Sequence, residues 1–205
     1  MSLSSYAELQ SSIADWLNRS DLTAQIPDFI TLAEAEFTRT LRHRKMITRS
    51  DATIDSEYSA TPRDWMQSQQ LIVKTNPVTP LEYVTGEALN QLKATSSAVG
   101  RPTHYTNIGT EFQVFPSPDA SYTAELVYFR NVPKLSNTNT TNWLLELAPD
   151  LYLYGTLLQS APYLRDDERI TTWASLYAKK VLDIEESDQR TRGQTSVRMR
   201  FSPLQ

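Results

Sequence analysis

The stretch IPDFITLAEAEFTRTLRHRKMITRSDATI, residues 26–54, contains the change of rhythm that decides the fold. In its first half Phe29, Ile30, Ala33, Phe37 and Leu41 recur three or four residues apart, the period of a helix that buries one stripe. Pro27, followed by Asp28, stands where a first helical residue stands, since a missing N–H costs nothing there; the helix is expected to run to about Arg44. From Met46 the period shortens. ITRSDATI, QLIVKT, LEYV, HYTNI, EFQVF and YTAELVYF are short β-branched and aromatic runs broken by Pro, Gly, Asn and Asp, and they predict an antiparallel sheet region reaching about Pro133. Gly109 marks a hairpin, residues 116–119 a tight turn before the longest strand, Tyr122 to Phe129, and a short helix near Thr85 to Lys93 interrupts the series.

Outward from that stretch the chain is helical again on both sides. Ser5 and Glu8 form a capping box, and Tyr6, Leu9, Ile13, Trp16 and Leu17 continue as an amphipathic helix ending near Asn18. Beyond the polar loop at residues 135–142, Pro149 and Asp150 open DLYLYGTLLQS, which Pro162 should end or kink. Asp166 or Asp167 is placed to cap a last helix carrying Ile170, Trp173, Tyr177, Val181 and Ile184. The expected class is α+β: a helical layer from the N- and C-terminal helices, a central antiparallel β-rich insertion and an extended C-terminal tail. The expected spans are 1–47 and 141–189 for the helical layer, 48–140 for the insertion and 190–205 for the tail.

The composition excludes several chemistries. With 205 residues, 40% apolar and 21% charged, the chain can bury one sizeable core or two small ones. It has no cysteine, hence no disulfide framework and no thiolate metal site. MSLSSYAELQ shows no basic segment followed by an apolar run, and no eighteen apolar residues are consecutive, so neither export nor a membrane partner is expected and the chain should stay in a cytosol. The two histidines, His43 and His104, have no carboxylates beside them in sequence and read as surface or rim residues. Five glycines form no phosphate loop, dinucleotide fingerprint or nucleophile elbow. The triplet Asp166-Asp167-Glu168 reads as a helix cap rather than a cation site. No catalytic residue, metal or cofactor is expected.

What remains points to assembly. Residues 1–188 hold 24 acids against 16 Lys and Arg, giving −8, whereas residues 189–205 hold Arg190, Arg192, Arg198 and Arg200 with no acid. An acidic body disfavours general nucleic-acid binding, because phosphate neutralisation supplies non-specific affinity. In the tail Val197, Met199 and Phe201 alternate with Arg198 and Arg200, so an extended chain there has one apolar and one cationic face. Ordering each residue costs about 1–2 kcal/mol, more than those few side chains return, so the tail should be disordered alone. It reads either as an arm that orders on a partner or as a solvated terminus. Tyr152, Gly155, Tyr163 and Trp173 are candidates for an intersubunit seam, with packing inside the chain the alternative for Gly155. Arg39, Arg42 and Arg44, with Lys45 and Arg49, read as complementing a helix end, a DNA or subunit contact being the sharper alternative.

The chain also carries, in order, DWLNRSDL (15–22), IPDFITLAEAEF (26–37), LEYVT (81–85), GRPTHYT (100–106), SYTAELVYF (121–129) and TNWLLELAPDLYLYGTLLQSAPYLRDDERITTWASLY (141–177). With these it resembles the head-to-tail adaptor, or connector, proteins of short-tailed phages and related prophages. The resemblance implies a virion component assembled in the host bacterial cytoplasm and placed at the head-tail junction. It would form a ring of twelve copies beneath the portal protein, prolong the channel for viral DNA, and offer a platform to tail nozzle and tail fibre proteins, without catalysis. It also implies that the C-terminal tail reaches the portal, through Arg190, Arg192, Val197, Arg198, Met199, Arg200 and Phe201 on the reading above. The rivals are a nucleic-acid-binding module using Arg39 to Arg49, and a hydrolase with an unrecognised carboxylate site.

Overall fold

Ser5 caps the first helix as its spacing to Glu8 predicts: its Oγ accepts from the Glu8 N–H at 3.4 Å, and Asn18, with φ 53°, closes the other end in the left-handed conformation an asparagine tolerates. The computed structural model describes residues 3–19, 21–164 and 168–193. In chain order these form α1 (Tyr6–Leu17), α2 (Ile26–Thr40), β1 (Ile47–Ile54), β2 (Tyr58–Ala60), β3 (Trp65–Val73), β4 (Thr79–Pro80), β5 (Glu82–Tyr83), α3 (Gly86–Thr95), β6 (His104–Ile108), β7 (Glu111–Phe115), β8 (Tyr122–Arg130), α4 (Trp143–Leu147), α5 (Pro149–Gln159) and α6 (Arg169–Gly193). The class is α+β. The chain divides into a helical unit, up to Lys45 and from Val132 onward, and a β unit, Met46–Asn131.

The helical unit is built around α5, where an almost uncharged sequence buries Leu151, Tyr152, Leu153, Gly155, Thr156 and Leu157 against α1, α2 and α6. Around it α1 contributes Tyr6, Leu9, Ile13 and Leu17, and α2 contributes Ile26, Phe29, Ile30, Ala33 and Phe37. Trp16, expected on the buried stripe of α1, is 41% exposed, its ring edge-on to Tyr154. Between α2 and α5 the fit leaves no room for a side chain at position 155: a Cβ there would lie 2.9 Å from the Phe37 ring and 3.3 Å from Tyr177. Asn142 starts the short α4, which sequence periodicity passed over, by accepting from the Leu144 and Leu145 N–H groups at 3.1 and 2.8 Å.

One expectation fails in an informative way. The helix predicted to reach Arg44 stops at Thr40, and residues 41–44 are extended, with Leu41 and His43 buried and Arg42 and Arg44 exposed. Two-residue alternation has replaced the helical period because both buried side chains have places to fill: Leu41 in the core and His43 against Trp143, ring centroids 5.3 Å apart. Residues 190–193, expected to open an extended tail, are helical instead, since α6 continues to Gly193 and carries Arg190 and Arg192; the rest of the expected tail, 194–205, lies outside the described residues.

In the β unit the single sheet region expected from sequence is two four-stranded sheets, ordered β1-β8-β3-β4 and β2-β7-β6-β5. The pairs are antiparallel except β5 with β6, which are parallel. The Gly109 hairpin joins β6 to β7 with φ 60° at the glycine, the left-handed region where Cβ is penalised. Ile54, Leu71, Val73, Leu81, Tyr105, Phe112, Val114, Ala124, Leu126 and Tyr128 make one apolar core. Its open end is a slot of about 250 Å³ flanked by the edge strands β1 and β2 and lined by Ser50, Ala52, Ile54, Phe112 and Leu126 among others.

Candidate assembly site

Two buried carboxylates organise the helical unit, and neither could be picked out from sequence. Glu34 is 2% exposed on α2. It accepts from the Leu135 N–H at 2.8 Å and the Tyr152 hydroxyl at 3.1 Å, while the Asn142 amide donates to that hydroxyl at 2.6 Å and to the Pro133 carbonyl at 2.7 Å. The cluster fastens residues 133–142, by which the chain returns from the β unit, onto α2 and α5. Burial raises the Glu34 pKa, partly offset by those two donors, and burial with the neighbouring Glu34 charge raises that of Tyr152.

Asp188, 5% exposed on α6, does the same for residues 41–45, by which the chain leaves for the β unit. It accepts from the Arg44 N–H at 3.2 Å, pairs with Arg192 at 2.8 Å and Arg44 at 3.8 Å, and faces His43 Nε2 at 3.6 Å. Arg192 also reaches the Arg42 carbonyl at 3.3 Å. His43 is therefore a core residue rather than the rim residue expected; its partner lies 145 positions on, beyond the reach of any local motif. Burial, with Arg44, Lys45 and Arg192, lowers its pKa against the raising effect of Asp188.

This imidazole–carboxylate pair is not arranged for proton transfer. Nδ1 accepts from the Lys45 N–H at 3.1 Å and Nε2 faces Asp188, so neither ring nitrogen is left for a hydroxyl or a substrate. The hollow beside it, about 220 Å³, is lined by Asp150, Lys180 and Asp183, which pair with one another at 2.9 and 3.7 Å. His104 stands 3.7 Å from Glu82, itself 76% exposed at its side chain. Among the described residues no group of three or more His, Asp or Glu could hold a metal, and no helix is long and apolar enough to cross a membrane.

The residues proposed from sequence fall into three groups. Tyr152, Gly155 and Trp173 are buried within the helical unit, which leaves them no surface to offer a second copy; Trp173 has the Arg169 guanidinium 5.1 Å over its ring. Tyr163 is 52% exposed, though one face rests on Phe29. Arg39 is exposed and pairs with Glu36 at 2.7 Å, and Arg42 caps α2 by donating to the carbonyls of Thr38, Arg39 and Leu41, the helix-end role favoured from sequence. Arg49 belongs to the β unit, on β1, 3.8 Å from Glu125. Of the proposed docking residues, Arg190 and Arg192 are on α6; Val197, Arg198, Met199, Arg200 and Phe201 lie outside the described residues, as do Asp166 and Asp167.

The structure brings together what the sequence kept apart. The segment that follows α2 and the last turns of α6 meet at Asp188, which holds Arg44 and Arg192, while Arg192 also donates to the Arg42 carbonyl. This geometry fixes Arg192, one residue before the end of the described segment, against residues 42–44. Compared with known proteins, a family model described as SU10 adaptor protein matches residues 4–200. No curated protein gives a match.

Proposed function

The chain belongs to the SU10 adaptor protein family, head-to-tail adaptors of phage, and from that membership we propose that it is a structural subunit of a ring joining portal to tail. The match across residues 4–200, helical and β units alike, is the observation that carries this reading. In the reading, about twelve copies close a ring that prolongs the DNA channel. The helical unit makes contacts between copies, the β unit serves tail nozzle and fibre proteins, and residues 194–205 dock on the portal. The anchored arm root supports the last assignment: a docking segment is more effective when its departure point is fixed, because less freedom is then lost on binding. A neutral or acidic channel lining would let DNA slide without adhering.

The test is the mass of the protein alone and in mixture with its portal protein. A monomer that enters a closed complex only when portal is present is expected, with assembly lost on deleting residues 194–205. Undiminished assembly of the truncated chain would remove the arm from the account, and no association of the intact chain would remove the adaptor role.

A further inference from the structure

Besides the stripe each buries, α2 and α6 carry a second stripe that faces solvent. On α2 it is Asp28, Leu32, Ala35 and Arg39, spaced four, three and four residues apart and all exposed, Leu32 by 51%. On α6 it is Ser175, Ala178, Leu182 and Glu185, with Lys179 and Glu186 beside them, again all exposed, Leu182 by 59%. Both stripes hold an alanine and a leucine with charges of opposite sign toward the two ends, but the order of the charges is reversed. The α2 stripe runs from acid to base, Asp28 to Arg39, and the α6 stripe from base to acid, Lys179 to Glu185 and Glu186. Among the described residues Asp28, Lys179 and Glu185 take part in no ion pair. Arg39 and Glu186 hold only neighbours on their own helices, Glu36 at 2.7 Å and Arg190 at 2.8 Å, exposed pairs that exchange partners at little cost.

We propose that the α2 stripe of one copy docks on the α6 stripe of the next, the two helices running parallel, and that this contact is the seam of the ring. The proposal rests on the adaptor reading and names the faces that carry its contact between copies. Parallel docking sets Asp28 opposite Lys179 and Arg39 opposite Glu185 or Glu186, with Leu32 and Ala35 meeting Ala178 and Leu182 between them. Along the helix Asp28 and Arg39 stand about 16 Å apart and Lys179 and Glu186 about 10 Å, a difference that the flexible lysine and arginine stems span. Antiparallel docking of the same two faces would set acid against acid and base against base. One rival arrangement also matches charge: two α2 stripes antiparallel, with Asp28 against Arg39 in both directions. That contact is isologous, closes at two copies and leaves the α6 stripe bare, whereas two unlike faces pass the contact from copy to copy and close as a ring. The apolar part of the seam is small, so one contact is weak alone and holds when the portal gathers several copies.

The test uses the full chain with its portal protein and reads, by sedimentation, the chain concentration at which half of the portal carries a closed complex. Asp28→Lys and Lys179→Asp should each raise that concentration at least about fivefold, and the chain carrying both should return to within about twofold of wild type, because the swap restores the pair with its signs exchanged. Leu182→Ser should raise it as well. Positions 179 and 182 are exposed on α6, so those two variants keep the fold and decide the matter if Asp28→Lys, in the first turn of α2, lowers the melting midpoint. Wild-type assembly by both Lys179→Asp and Leu182→Ser would overturn the seam while leaving the adaptor role standing. A loss in Asp28→Lys, at an unchanged melting midpoint, that Lys179→Asp does not repair would overturn it too, in favour of the α2 pairing if the wild type sediments as a dimer. A wild-type chain that forms no closed complex with portal at any concentration would overturn the adaptor reading and the seam together.

Discussion

The helical and β units are stabilised by different means. Among the described residues every buried charged side chain belongs to the helical unit: Glu34, Asp188 and, when protonated, His43. The β unit has an apolar core with its ion pairs at the surface, among them Lys74 with Asp51 and Glu125, and Lys93 with Glu57. Apolar burial is non-directional and tolerates small shifts, whereas a buried carboxylate with several donors admits one arrangement. The two carboxylates stand where direction matters, at the segments by which the chain leaves the helical unit and returns to it. The comparison teaches that this protein places its costly polar contacts where chain path must be fixed.

That contrast can be broken at Glu34. Replacing it with alanine strands the Leu135 N–H, the Tyr152 hydroxyl and the segment they hold, and should cost about 3 kcal/mol of stability in denaturant titration. A loss below about 1 kcal/mol would mean that the cluster does not fix the path. Gly155→Ala should come next. Its gain in helix propensity, about 1 kcal/mol, is outweighed by contact at 2.9 Å with the Phe37 ring, for a net loss of about 1–2 kcal/mol in the same titration. In the β unit Glu57→Gln keeps an acceptor for the Gln113 amide and gives up only the partly exposed pair with Lys93; the loss should be under about 1 kcal/mol.

The smallest effect is a pH dependence that sharpens the comparison, because the buried groups of the helical unit pull in opposite directions. The His43 pKa is lowered from 6.5, so the unfolded chain takes up a proton there first; this contribution is present above pH 6.5 and is lost as pH falls through that value. The Glu34 pKa is raised from 4.5, so its contribution is greatest in acid and declines as pH rises from 4.5 through the folded value. Thermal midpoints across pH 4 to 8 should therefore lose the acid-side decline in His43→Gln, and lose the decline on the rising side in Glu34→Gln. Identical profiles in both variants would show that neither group is coupled to folding.

Local rules made much of the fold legible. The cap at Ser5, Pro27 and Pro149 at first helical turns and the Gly109 hairpin are each decided within a few residues, and each stands where the sequence puts it. What escaped depends on distant partners. The helix after Phe37 ends early because His43 finds Asp188 and Trp143, and the sheet region divides because β7 pairs with β2 and β6 while β8 pairs with β1 and β3, pairings that no local pattern encodes. The assembly site was half visible for the same reason: Arg42 to Lys45 and Arg190 to Arg192 are two basic runs in sequence, and only the fold joins them, through Asp188 with Arg44 and Arg192. Tyr152, Gly155 and Trp173 erred in the opposite direction, since aromatic and small residues at helical spacing fit an interior as well as an interface, and here the interior takes them.

The most direct test of the central claim, that this chain is a structural link between phage head and tail, is a reconstruction of the head-tail junction in assembled virions. The account predicts density for the helical unit between portal and tail, repeated around the channel axis, with residues 194–205 traced onto the portal. A junction in which portal meets tail with no copy of this chain between them would contradict it.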